Sequence, residues 1–145
     1  MCFTAPVELL PLLPTSKAPA ENFTGDVYVD PLCLPNESIN LVAAAVHFTP
    51  GARTVWHSHP LGQTLYCSEG EGVVGTRDGV IVLTPGRTVQ IAPGEEHWHG
   101  ATADTFMTHI AMGAVPADGP STIWGEPVTA EQYAAAPSRA AHPAT

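Results

Sequence analysis

The sequence predicts an all-β barrel followed by one short helix near the C-terminal end. Three observations carry that expectation. Gly (13) and Pro (15) are frequent while only 13% of the 145 residues are charged, a composition of turns and short strands rather than long helices. Apolar stretches are brief and broken at close intervals by Pro-Gly and Asp-Gly pairs. The first long apolar run, "INLVAAAVHF" (39–48), alternates with period two: Val42, Ala44, Val46 and Phe48 would share one face, Ala43, Ala45 and His47 the other.

In chain order, residues 1–21 read as an irregular arm whose prolines block continuous helix or ladder. "GDVYVDP" (25–31) is a short strand closed by Pro31, and the 39–48 run follows it. Beyond it, "PGA" opens "RTVWHSH", "QTLYCSEGEG" leads into "GVVGTRDG", "VIVLTPG" into "TVQIAPG", and "HWHG" into "TFMTHIAM". "RDGV" (77–80) carries the Asp-Gly pair that favours a tight hairpin. Strands at this spacing make an antiparallel sandwich or small barrel. "TAEQYAAA" (129–136) is the predicted helix, with Thr129 as N-cap, Gln132 completing a capping box, and Pro137 as the stop. Residues 137–145 read as a frayed tail, leaving one domain over 22–136.

Charge and cysteine usage exclude several classes. Net charge is −9 and Lys17 is the single lysine, so nothing resembles the basic patch that nucleic acid or an anionic membrane requires. Cys2, Cys33 and Cys67 are scattered and odd in number, which argues against a disulfide framework and for a reducing compartment. The leucine cluster at the start has no early positive charge and is interrupted by Pro6, Glu8, Pro11 and Pro14, so neither a signal peptide nor a membrane span is expected. A cytoplasmic location is the expectation.

The chemistry lies in histidines. His57 and His59 stand two apart on a predicted strand, so both rings project from one face, and Gln63 lies close by in the next stretch. His97 and His99 repeat the spacing. Imidazole is the commonest nitrogen donor for divalent first-row metals, and any three of these four with one oxygen donor would make a mononuclear site. A single such pair is more often a polar turn; two, each after a Pro-Gly turn, favour a metal.

The spacing resembles a known family. Gly51, five residues, His57-Ser58-His59, three residues, Gln63 and then Gly70 look like the first cupin motif; Gly86 followed by Ala92, Gly94 and His97 resembles the second. Gln63 stands for the usual glutamate, Ala92 for a proline and Ala101 for an asparagine. "GARTVWHSHPLGQTL" and "GEEHWHGATADTFMTHIAM" are similar to the small bacterial single-domain cupins that include manganese-dependent hydroxynitrile lyases, over about Asn22 to Tyr133. The resemblance implies a double-stranded β-helix (jelly-roll) barrel. It implies His57, His59, Gln63 and His97 as ligands of one divalent ion, with glutamine expected in that branch. It also implies His99 and His109 as pocket residues beside the ion.

Three imidazoles and a carboxamide leave the ion its full double positive charge, which weakens retention but strengthens it as a Lewis acid. Such a site suits an alkoxide, enolate, carboxylate or cyanide better than redox chemistry. His109 shares a strand face with Met107 and Ala111, where a lone histidine is usually structural; beside a metal it becomes a candidate general acid or base, with His99 as the competitor. Manganese is the ion the resemblance implies, while the donors also accept iron, cobalt, nickel, copper or zinc.

Other residues read more plainly. Cys67 is expected as a small buried hydrophobe, Arg53 as a rim cation, and Trp56 and Trp98 as packing outside the pocket. Glu69, Glu71, Glu95 and Glu96 are expected to face water, and His47 and His142 have no role. The expected function is a metal-dependent lyase of hydroxynitrile type acting on a small molecule, in a homodimer that covers open sheet edges. The rivals are a quercetinase-like non-haem dioxygenase and a cupin that binds a small molecule without turnover.

Overall fold

The computed structural model describes residues 6–136. Cys2, Pro137 and the expected tail with His142 lie outside them. In chain order the first strands are β1 (Ser16–Lys17), β2 (Phe23–Thr24), β3 (Val27–Cys33), β4 (Val42–Phe48), β5 (Arg53–Thr54), β6 (His57–Ser58) and β7 (Gln63–Gly70). They are followed by β8 (Gly72–Thr76), β9 (Gly79–Leu83), β10 (Thr88–Ile91), β11 (His97–Ala101), β12 (Met107–Gly113), β13 (Ile123–Trp124) and the helix α1 (Ala130–Ala134). No helix among the described residues is long and apolar enough to cross a membrane.

The strands form two antiparallel sheets. One runs β1-β3-β4-β12-β7-β10. In the other, β11 is the central strand: β5 and β6 lie along one side of it and β8 along the other, with β9 beyond β8, β2 beyond β5 and β13 beyond β6. Between them sits a core of Val27, Val46, Phe48, Leu65, Cys67, Val74, Leu83, Ile91 and Met107. Period two explains most of it. On β7, Leu65 and Cys67 are fully buried while Tyr66 and Ser68 are exposed. A smaller cluster of Trp56, Val73, Trp98 and Val128 lies beneath α1.

Close approach requires glycine at several positions, Gly70 and Gly75 among them. Gly70, at φ 76°, turns β7 into β8, and a Cβ there would run into the Phe106 carbonyl. A Cβ on Gly75 would run into the Trp98 indole nitrogen, so the glycine makes room for that ring.

Several details differ from expectation. The strand beginning near Gly25 does not close at Pro31 but continues to Cys33, with a register shift between Pro31 and Cys33. Proline is tolerated because β1 pairs only with Tyr28 and Val29, so beyond them this strand is an edge. Glu71 does not face water: it is 7% exposed, in the tight link where its carbonyl accepts from the Thr102 N–H and the Thr105 hydroxyl. Arg53 turns to the outside of the barrel, donates to the Gly51 and Val128 carbonyls and stacks 4.3 Å over the Tyr133 ring. Within the expected arm, Ser16 and Lys17 pair with β3, and residues 6–15 lie along the surface with Val7, Leu9 and Leu12 at 89%, 98% and 100% exposure. A groove of about 530 Å³ runs between that arm and Leu32, Leu34, Ile39 and Leu41, away from the histidines.

Candidate metal centre

β6 and β11 pair with His57 opposite His97, so the two "His-x-His" stretches meet across one ladder. The ring centroids of His57 and His97 are 4.2 Å apart, and those of His59 and His97 5.4 Å. One ligand atom from each of His57, His59 and His97 can be chosen so that all three lie within 4.8 Å of one another. Gln63, the first residue of β7, reaches in from the facing sheet and places Oε1 3.3 Å from His97 Nε2.

Backbone hydrogen bonds fix which nitrogens face inward. His57 Nδ1–H donates to the Val55 carbonyl at 2.9 Å, His97 Nδ1–H to Glu95 at 2.9 Å, and His59 Nδ1–H to Ser121 at 3.1 Å. A ring that donates through Nδ1 is left with a lone pair on Nε2. The three Nε2 lone pairs therefore point into one small space, and His59 Nε2 is buried without a hydrogen-bond partner. With Gln63 as oriented, its Oε1 and His97 Nε2 face each other as two acceptors with no hydrogen between them. A cation resolves both features, so these residues fit a divalent ion chemically. Burial holds the rings neutral: it pushes His57 down to about 3, with His97 adding to the shift, pushes His97 down to about 4, and lowers His59 as well.

Behind these rings lies a second pair. His99 on β11 and His109 on β12 come from opposite sheets, and His109 Nε2 is 2.9 Å from His99 Nδ1. Both are buried, with the Phe48 ring packed against each. The His99 ring is 5.1 Å from His57 and 5.6 Å from His97. His99 N–H donates to Thr54 Oγ1, which fixes the strand at this point. Burial pushes His109 down to about 4 and His99 well below its ordinary value, with His109 adding to the latter.

The tautomers of the pair follow from the remaining nitrogens. His109 Nδ1 has only its own backbone carbonyl as a weak acceptor and forms no hydrogen bond of good geometry. A proton on that nitrogen is attracted to the carbonyl, whereas a lone pair there is repelled. His109 Nε2 is then the acceptor, His99 Nδ1–H the donor, and His99 Nε2 carries a buried, unpartnered lone pair.

A cavity of about 200 Å³ opens beside His59 and Gln63. Its other walls are Val42, Ala44, Gly62, Ala111, Met112, Gly113, Ala114, Ser121 and Thr122, with no charged side chain. Neither His99 nor His109 is among the residues that line it. Cys67 packs in the core with Sγ toward the Glu69 carbonyl, and His47 points outward to Asp30 and Thr108. Sequence reading did not single out Ser121, Thr122 or Trp124, whose ring lies 5.2 Å from His57. Their stretch is short, exposed and without alternation, so it leaves no periodic signal.

Residues 44–112 match the cupin domain family. A curated relative from Granulicella tundricola, (R)-mandelonitrile lyase, is 46% identical over 82% of this chain and 91% of its own length. The chain belongs to the cupin family. The crystal structure of a cupin-like protein from Thermotoga maritima superposes on this cupin with a TM-score of 0.77 at 38% identity, covering 87% of this chain and 92% of the other. A cupin 2 conserved barrel domain protein from Rhodopseudomonas palustris shares the fold at a TM-score of 0.64 and 17% identity, over 85% and 81% of the two chains.

Proposed function

We propose that this cupin is a metal-dependent carbon–carbon lyase that cleaves and forms cyanohydrins, with His57, His59, Gln63 and His97 holding one divalent ion. The observation that carries the reading is the buried, unpartnered Nε2 of His99 beside an all-neutral donor set. Similarity to a relative named (R)-mandelonitrile lyase supports the reaction class. The uncharged cavity suits a neutral hydroxynitrile or aldehyde better than a carboxylate.

A bound ion would supply positive charge to a departing cyanide and polarise a carbonyl oxygen. The chain's own residues would do the rest. The substrate's hydroxyl would pass the lining at His59 and Gln63 to reach the buried His99, whose Nε2 would accept the hydroxyl proton. The O–H electron pair becomes the second bond of the carbonyl, the carbon–carbon pair leaves with cyanide, and His99 returns the proton to give hydrogen cyanide. His109 Nε2, accepting from His99 Nδ1–H, stabilises the imidazolium that forms meanwhile and is the positioning residue of the pair. In the reverse direction the same proton is delivered to the new alkoxide.

The test pairs metal content with turnover. Manganese-loaded protein is expected to hold about one ion per chain and to release benzaldehyde from mandelonitrile with or without oxygen, while a His57→Ala, His97→Ala double variant does neither. A requirement for oxygen would favour a dioxygenase, and binding without turnover a ligand-binding cupin; either would overturn the lyase. We also propose a homodimer, supported by the exposed leucines of the arm and the unpaired edge of β3. A sedimentation mass of one 15.2 kDa chain would contradict it.

A further inference from the structure

Two of the three imidazoles facing the centre are oriented by their own strand, and the third is not. The carbonyls that fix His57 and His97 belong to Val55 and Glu95, each two residues upstream of the ring. The carbonyl that fixes His59 belongs to Ser121, 62 residues downstream, and Thr122 Oγ1 lies 3.3 Å from the same nitrogen. The chain then continues into β13, where Ile123 pairs with Ser58 and Trp124 with His57, against whose ring the Trp124 indole lies. One four-residue stretch therefore touches His59 through a backbone oxygen and His57 through an indole.

Downstream this stretch is anchored, since Gly125 N–H donates to the Trp56 carbonyl and Trp56 N–H to the Glu126 carbonyl, and the Trp124 ring lies 6.0 Å from that of Phe23; upstream it is lightly held. Val115 is tied at both backbone groups to the Asn40 carboxamide. From there to Ser121 the chain passes over the surface through Pro116, Asp118, Gly119 at φ 83° and Pro120. Ile123 and Trp124 are 54% and 43% exposed. With no buried residue from Ser121 to Trp124 and only a surface path upstream, the segment from 116 to 122 is among the parts of the fold that open most readily, hinged on the downstream ladder. If it lifts, His59 Nδ1 loses its acceptor and the ring is free to turn its Nε2 away from the other two.

We propose that Ser121–Trp124 is a clasp that sets the metal affinity of the centre: its seating orients His59 as a ligand, and a bound ion in turn holds the clasp down. The inference rests on the reading of the three histidines as a divalent-metal centre. Linkage makes the coupling reciprocal: seating the clasp strengthens ion binding by the same factor by which a bound ion favours the seated clasp. Ser121 and Thr122 also wall the cavity beside Gln63, so seating the clasp completes the ligand set and the substrate cavity together. Pro116 and Pro120 serve this device by limiting the conformations open to the lifted segment.

The experiment titrates manganese(II) chloride into metal-free, full-length protein, comparing wild type, a Pro116→Gly, Pro120→Gly variant and a Pro85→Gly control in the distant β9–β10 turn. Hydrogen exchange over residues 114–124 is followed with and without the ion. The double variant is expected to bind manganese up to about tenfold more weakly, its metal-free form melting a few degrees lower, while the control shows a smaller melting shift and wild-type affinity. Amides of the segment are expected to gain protection when manganese is bound. Equal affinity in wild type and double variant, or exchange indifferent to saturating manganese, would overturn the clasp while leaving the centre intact. Failure of wild type to bind manganese would overturn the centre, and the clasp with it.

Discussion

Gln63 meets His97 through a neutral oxygen at 3.3 Å, and a glutamate at that position would place a full negative charge there instead. With an ion in place the substitution takes the net charge of the donor set and metal from +2 to +1. Gln63→Glu is therefore expected to tighten manganese by tenfold or more while lowering cyanohydrin turnover, read by competition titration and by kcat on the same preparation. Unchanged turnover would remove the role given to the neutral ligand. The histidine pair makes a second prediction. A carboxamide at position 109 can still accept from His99 Nδ1–H, whereas an aliphatic side chain cannot. His109→Gln is expected to retain measurable kcat and His109→Leu to lose about a hundredfold or more, with His99→Ala at least as severe. Equal loss in the Gln and Leu variants would instead make His109 the proton acceptor. At this scale the sequence marks the four histidines and Gln63 by spacing. It is blind to the carbonyls of Val55, Glu95 and Ser121, because any residue type supplies a carbonyl.

Pairing between β7 and β12 shows how an element places a side chain. Thr108 faces Glu69, but His109 faces Cys67, so Ser68 is skipped and the register slips by one. This bulge is one of the irregularities that counting by twos cannot foresee. The helix is more legible: Thr129 Oγ1 accepts from the Gln132 N–H at 3.0 Å and Gln132 Oε1 from the Thr129 N–H at 2.9 Å, the reciprocal capping the sequence implies. Gln132 Oε1 also lies 3.3 Å from the Trp56 indole nitrogen, and the Tyr133 hydroxyl donates to the Ala101 carbonyl, so the cap ties α1 to the barrel. Thr129→Ala is expected to cost about 1 kcal/mol in denaturant unfolding, with early exchange of amides 130–136. By contrast, β13 and the continuation of β3 past Pro31 were hidden, the one by its length and exposure, the other by a proline that only an edge strand accepts.

For the whole molecule, five imidazoles gathered between two sheets make acid the expected weakness. His57 titrates at about 3, and His97 and His109 at about 4, each pushed down by burial, against about 6.5 in the unfolded chain. Between those values the unfolded state binds more protons than the folded state. These groups therefore leave stability undiminished above pH 6.5, and it falls progressively as the pH drops toward 3–4. Metal-free protein is expected to show this slope in denaturant midpoints between pH 7 and 4, and the His57→Ala, His97→Ala variant a shallower one; parallel slopes would refute the assignment. The barrel itself was legible because Gly-Pro punctuation and alternation survive the loss of detail. The path of the arm was not, since an extended segment without a ladder obeys no period.

The backbone carbonyls that orient His57 and His97 have one more consequence. They hold those two nitrogens ready before any ion arrives, so loading requires no rearrangement of β6 or β11. A socket cut in advance discriminates among divalent ions by the size and coordination geometry it already has. Occupancy would then reflect that fit together with each ion's affinity for nitrogen and its free abundance during synthesis, so ions of similar size and geometry compete for one place without altering the fold.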